Sequence, residues 1–185
     1  MTGVQTCALP IYLIAQDENS VDILKPLVVG NNIREYHVEF EDCFLIWAVN
    51  GVDIQRYPAV FEHLKCFKDS LESRRDKGGH WWEIRSCRYA VEFEMSKILF
   101  PDLGANCRFC LDKSGLFLIN NAYFIAEDDY YLLALLNSQL AWDYLKRICT
   151  RFRGKTLRFS KQYLEKVPIR RSEERRVGKE CRSRW

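Results

Sequence analysis

The sequence predicts an α+β domain of short, mostly antiparallel strands with two main helices, about 58–75 and 129–148. Three observations carry that prediction. Apolar runs of strand length end at turn pairs, as Cys43-Phe-Leu-Ile-Trp-Ala-Val49 ends at Asn50-Gly51. Val60, Leu64, Phe67 and Leu71 recur at i, i+4, i+7 and i+11, the spacing of one helical stripe. The apolar run from Tyr130 to Leu136 follows Glu127-Asp128-Asp129, acids that suit an N-cap and the positive end of a helix.

Taken in order, Ile23-Leu-Lys-Pro-Leu-Val-Val-Gly30 reads as a short strand entering a glycine turn, then a loop or single helical turn to Tyr36. Pro58 opens the first helix where a missing N–H costs little. Its outer face carries Glu62, Lys65, Lys68, Asp69 and Glu72, and Gly78-Gly79 stops it after Arg74-Arg-Asp-Lys77. Ser96 to Phe100 is a strand ended by Pro101. Residues 107–111 and 116–125 read as two strands around the turn Asp112-Lys-Ser-Gly115. The second helix is apolar around its axis until Trp142, which predicts burial on most sides. A loop, 150–159, leads to a short helix capped by Ser160 and ended before Pro168.

Both ends of the chain resemble translated sequencing-adapter DNA, so 1–11 and 170–185 are expected not to be native and 12–169 is the domain. The ends alter the charge argument. Residues 170–185 hold seven Lys/Arg and three Asp/Glu; removing their +4 from the chain's +3 leaves the body at −1. Overall basicity therefore says nothing about nucleic acid, and only a local concentration of charge can. No apolar run approaches the roughly twenty residues of a membrane span. No signal peptide is evident, and six scattered body cysteines fit reduced thiols, so a cytoplasmic protein is expected.

The strongest local charge is at 146–166: Lys146, Arg147, Arg151, Arg153, Lys155, Arg158, Lys161 and Lys166 against Glu165 alone. Phe152, Phe159 and Tyr163 interleave, and Gly154 loosens the middle. Such residues reach phosphates, and Arg can fork onto guanine; a solvated basic edge is the competing explanation. With four to six phosphate contacts, log K would fall with log salt at a slope of roughly −4 to −5. Arg74, Arg75 and Lys77, beside Trp81, Trp82 and Arg85, form a second patch, though cations are favoured at a helix C-terminus anyway and paired tryptophans are commonly core. Cys107-Arg-Phe-Cys110 has zinc-ligand spacing without a second pair, and strand geometry would point its two thiols to opposite faces, so no metal is expected. His37, His63 and His80 lack a nucleophile partner, with His63 read as a packing or capping residue. Pro101-Asp102 has no correctly spaced acid-x-lysine for a nuclease. No catalytic residue is assigned.

Five blocks, in order, resemble the TaqI-like C-terminal specificity domain of restriction-modification adenine methyltransferases. They are Lys25-Pro-Leu-Val-Val-Gly-Asn-Asn-Ile-Arg-Glu-Tyr36, with Asn32 where Asp is usual; 57–75 with Trp81-Trp82-Glu83; Ser96-Lys-Ile-Leu-Phe-Pro101; 132–140 with its Leu-Leu-Asn-Ser; and Arg158-Phe-Ser-Lys-Gln-Tyr-Leu-Glu-Lys-Val-Pro-Ile169. The resemblance spans roughly 24–169. It implies a target-recognition domain that grips duplex DNA while an N-terminal methyltransferase domain of the same parent, absent from this fragment, methylates adenine N6 from S-adenosylmethionine. In some such parents, as in type IIG enzymes, a nuclease is fused as well. The chain itself has no Gly-x-Gly and no Asn-Pro-Pro-Tyr, so no cofactor is expected in it. The expected DNA contacts are Arg151, Arg153, Lys155, Arg158 and Lys161, then Arg34 and the Arg74, Arg75, Lys77 cluster. The rival is a protein-interaction module of a phage-defence assembly that reads no bases.

Overall fold

A computed structural model of the chain describes residues 8–169; of the ends expected not to be native, 1–7 and 170–185 lie outside the described residues, and 8–11 open the first helix. The N-terminal half runs α1 (Ala8–Gln16), α2 (Ser20–Ile23), β1 (Leu24–Val28), β2 (Phe44–Ile46), α3 (Pro58–Lys65) and α4 (Lys68–Glu72). Next come β3 (Lys97–Pro101), β4 (Leu103–Gly104), β5 (Cys110–Asp112), β6 (Phe117–Leu118) and β7 (Ala122–Ile125). The chain then forms α5 (Tyr130–Leu136), α6 (Gln139–Ile148), β8 (Leu157–Arg158) and α7 (Lys161–Leu164). The α+β class holds, with short strands in small sheets ordered β2-β1-β6, β5-β3-β7 and β4-β8. Every strand pairing is antiparallel except β1 with β6.

Both long helices are interrupted. The first breaks at Phe67, whose φ of −114° and ψ of 13° leave the helical region. Phe67 drops out of the apolar stripe and is exposed, its ring edge-on to His63, while Val60, Leu64 and Leu71 stay in one core cluster. The second breaks at Asn137-Ser138, residue types that bond to nearby backbone in preference to continuing a helix. The Asn137 amide clamps the backbone of Phe109, accepting from its N–H at 2.9 Å and donating to its carbonyl at 2.8 Å. The Ser138 hydroxyl accepts from Ala141 N–H and caps α6. The Asn-Ser of the resembling block is thus a joint between two helices. At the start of α5 the Asp129 carboxylate accepts from the N–H groups of Tyr131 and Leu132, the cap the sequence suggests.

The hairpin expected around 112–115 is not made. The Asp112 carboxylate takes the N–H groups of Ser114 and Leu116, and the chain turns away. β5 pairs with β3, whereas β6 runs parallel to β1, and the expected strand at 116–125 is split into β6 and β7. Ser160 starts α7 without a capping bond; its hydroxyl is buried with no partner.

One core cluster joins α5, α6, α7, β3 and β8 through Ile98, Phe100, Phe109, Leu136, Leu145, Leu157 and Phe159. A second holds the N-terminal half around Leu13, Ile46, Tyr57, Val60 and Leu71, with Trp81 and Trp82 packed on it. Lys97 and Asp112, both wholly buried, form an ion pair at the β3–β5 ladder. Lys97 Nζ also donates to the Phe93 carbonyl at 2.6 Å. Burial raises the Asp112 carboxyl, but the bonds from Lys97, Ser114 and Leu116 outweigh it and hold the group below its usual range. Among the described residues no helix is long and apolar enough to cross a membrane.

Candidate nucleic-acid interface

The basic loop at 150–158 folds as a tight hairpin. Phe152 N–H donates to the Thr156 carbonyl at 2.9 Å, Thr156 N–H to Arg153 at 2.9 Å and Arg158 N–H to Thr150 at 3.0 Å. Gly154 makes the reversal at φ +54°, a region that disfavours side chains. The stem is rooted. β8 pairs with β4, Leu157 and Phe159 are buried, and Gly104 lies so close to Phe159 that a Cβ there would stand 2.6 Å from its ring. The core therefore grips the stem while the tip faces solvent.

At that tip Arg151, Arg153 and Lys155 are exposed, and none makes an ion pair among the described residues. Arg158 reaches Asp102 at 3.6 Å, and Lys161 reaches Glu165 at 3.5 Å, an exposed i,i+4 pair. An exposed pair such as Lys161–Glu165 contributes only about 0–1 kcal/mol, so Lys161 can exchange partners; Arg158 is itself exposed, and its contact with half-buried Asp102 is long. Phe152, 49% exposed, has the Arg153 and Arg158 guanidiniums 5.6 and 5.4 Å from its ring centre. Of the interleaved aromatics, Phe159 is core, and half-buried Tyr163 bonds through its hydroxyl to Thr150. Beneath the hairpin a cavity of about 190 Å³ is lined by Thr150, Arg151, Phe152, Arg158, Gln162 and Tyr163. Gln162 carries no charge, so a pattern of charged residues does not reveal it.

The other expected contacts are placed elsewhere and are largely committed to internal bonds. Arg34 pairs with Glu39 at 2.6 Å and donates to the carbonyl of Asn31. Arg74 donates to the carbonyls of Leu71, Trp81 and Glu83, each at 3.2 Å, and Lys77 to that of Glu72. Arg75 is exposed. Trp81 and Trp82 are half-buried against Phe61, with ring centres 5.9 and 5.6 Å away. The sequence reading missed Glu83, a buried carboxylate that accepts from Gly51 N–H, His80 N–H and the His80 ring. Burial raises this carboxyl, and those bonds, led by His80, bring it below the usual range. It also missed Lys97, whose place in an apolar strand was the available signal.

Cys107 and Cys110 are both buried, and burial pushes their thiols up to about 12 and about 11, away from the thiolate a metal needs. Among the described residues no group of three or more His, Cys, Asp or Glu is placed to hold a metal ion.

The fold is shared with part of a restriction-modification enzyme. The type IIL enzyme MmeI, solved in complex with DNA, superposes with a TM-score of 0.62 over 85% of this chain and 22% of its own, at 14% identity. Among sequences, the chain is 26% identical over 156 residues to the type II methyltransferase M.PaeR7I of Pseudomonas aeruginosa, covering 79% of this chain and 27% of that protein. It is 24% identical over 181 residues to M.BstVI of Geobacillus stearothermophilus, covering 90% and 32%. The chain thus spans about a third or less of these two relatives. The TaqI-like C-terminal specificity domain matches residues 25–169, and the chain belongs to that family.

Proposed function

We propose that this chain recognises a specific sequence in duplex DNA on behalf of a restriction-modification N6-adenine methyltransferase, type IIG-like in organisation. The observation that carries the reading is the rooted hairpin with three unpaired cations at its tip, a local basic patch on a body (12–169) whose net charge is only −1. Phosphate contacts from Arg151, Arg153, Lys155, Arg158 and Lys161 would set register, and base contacts would set sequence. Arg75 is the free member of the second cluster; Arg34, Arg74 and Lys77 would first have to leave their internal partners. The partner of this domain is then a methyltransferase domain of the same cytoplasmic parent protein. S-adenosylmethionine belongs to that domain, because this chain's residues supply neither a Gly-x-Gly turn nor an adenine grip.

The test is binding of a fluorescein-labelled mixed-sequence 30-base-pair duplex by the chain across a salt series. The wild type is expected to show a slope of roughly −4 to −5. The triple variant Arg151→Glu, Arg153→Glu, Arg158→Glu is expected to lose binding while its thermal unfolding stays in place. Unchanged binding by that variant overturns the reading. It would favour an interaction module of a phage-defence assembly, for which the exposed Leu140 on α6 offers an apolar contact.

A further inference from the structure

The hairpin's cations explain grip but not choice, since phosphates are the same at every base pair. We propose that Gln162 is a specificity-determining residue and that the cavity under the hairpin receives a base edge offering an adjacent donor and acceptor, as adenine does in the major groove. The proposal rests on the DNA-recognition reading of the same face.

Three observations lead there. First, Gln162 lies on α7 and lines the same cavity as Arg151 and Arg158, so whatever the cations draw in passes its amide. Second, the amide is exposed and makes no hydrogen bond within the described residues, so no internal partner has to be given up. Third, the amide contributes no attraction to phosphate that the surrounding cations do not already supply. A carboxamide presents a donor and an acceptor side by side, the complement of adenine N6–H and N7. Tyr163 is held by its hydroxyl bond to Thr150, and the Phe152 ring has the Arg153 and Arg158 guanidiniums 5.6 and 5.4 Å from its centre, so the amide has aromatic and cationic neighbours.

The experiment is selection from a randomised duplex library with the full chain, followed by sequencing, on wild type, Gln162→Ala, Gln162→Glu and Arg151→Ala. Thermal unfolding confirms that each variant folds. Gln162→Ala is expected to lose about tenfold preference for A·T at one position, with the salt slope on mixed-sequence duplex unchanged. Gln162→Glu is expected to move that position towards cytosine, whose N4 amine a carboxylate accepts. Arg151→Ala should weaken all sequences alike and make the slope shallower by about one unit. Selected sequences identical for wild type and Gln162→Ala, with Arg151→Ala still weakening binding, would overturn the assignment and leave the hairpin as a phosphate grip. No salt-dependent binding by the wild type would remove the DNA-recognition reading and this assignment together.

Discussion

Lys97 and Arg151 carry the same charge and are treated in opposite ways by the fold. Lys97 is wholly buried and spends its ammonium on Asp112 and the Phe93 carbonyl. Arg151 stands on the hairpin with no acid against it among the described residues. A buried charge must be paired, or its desolvation is uncompensated. A charge left unpaired in water costs little and stays available to a partner. The difference separates cations that hold the domain together from cations that can act outside it. Sequence shows both only as Lys or Arg.

The contrast can be tested at graded strength. Lys97→Met strands the Asp112 carboxylate in the core and is expected to cost about 3–5 kcal/mol in denaturant unfolding. A loss under about 1 kcal/mol would mean that water reaches the pair. Arg74→Ala removes three bonds to backbone carbonyls and is expected to cost about 1–3 kcal/mol while the salt slope of DNA binding is unchanged. A shallower slope in that variant would move Arg74 from the structural class to the recognition class.

Acid should act on the same buried groups. Asp112 and Glu83 are both held below their ordinary values of 3.8 and 4.5. A depressed carboxyl contributes stability that is full above its unfolded value and is lost as pH falls towards the folded one. Melting temperature is therefore expected to be level from pH 6 to about 5 and to drop below about 4.5, with Glu83→Gln flattening part of the drop. The smallest stability effect belongs to the hairpin. The pair Arg153→Ala, Lys155→Ala is expected to change unfolding by no more than about 0.5 kcal/mol. The same pair should make the salt slope shallower by about two units.

Several elements of the fold, though not this contrast, are legible in the chain before folding. The hydrophobic period locates α3 and α4, Asp129 marks the start of α5, and the charge run locates the hairpin. What the period could not show was the pair of breaks. Phe67 fits a helical stripe as well as any apolar residue, and the clamp between Asn137 and Phe109 joins positions 28 apart. The parallel pairing of β1 with β6 was hidden for the same reason, since Asp112 signals a turn but not where the chain goes next. Gln162 was missed because selection by charge passes over amides. Lys97 and Asp112 stand in recognisable sequence blocks, but burial, which gives them meaning, is a property of the folded whole.

That parallel pairing has a consequence for synthesis. Leu27 of β1 waits for Phe117 of β6, ninety positions later in the chain. At the ordinary rate of about 5–20 residues per second, that edge of β1 stays open for roughly 5–18 s as the nascent chain emerges. An open apolar edge is a template for pairing with another chain. Val28, fully buried in the folded domain, lies on that edge. Slowed translation between residues 28 and 118 should therefore lower the yield of folded protein before any change in its final stability is seen.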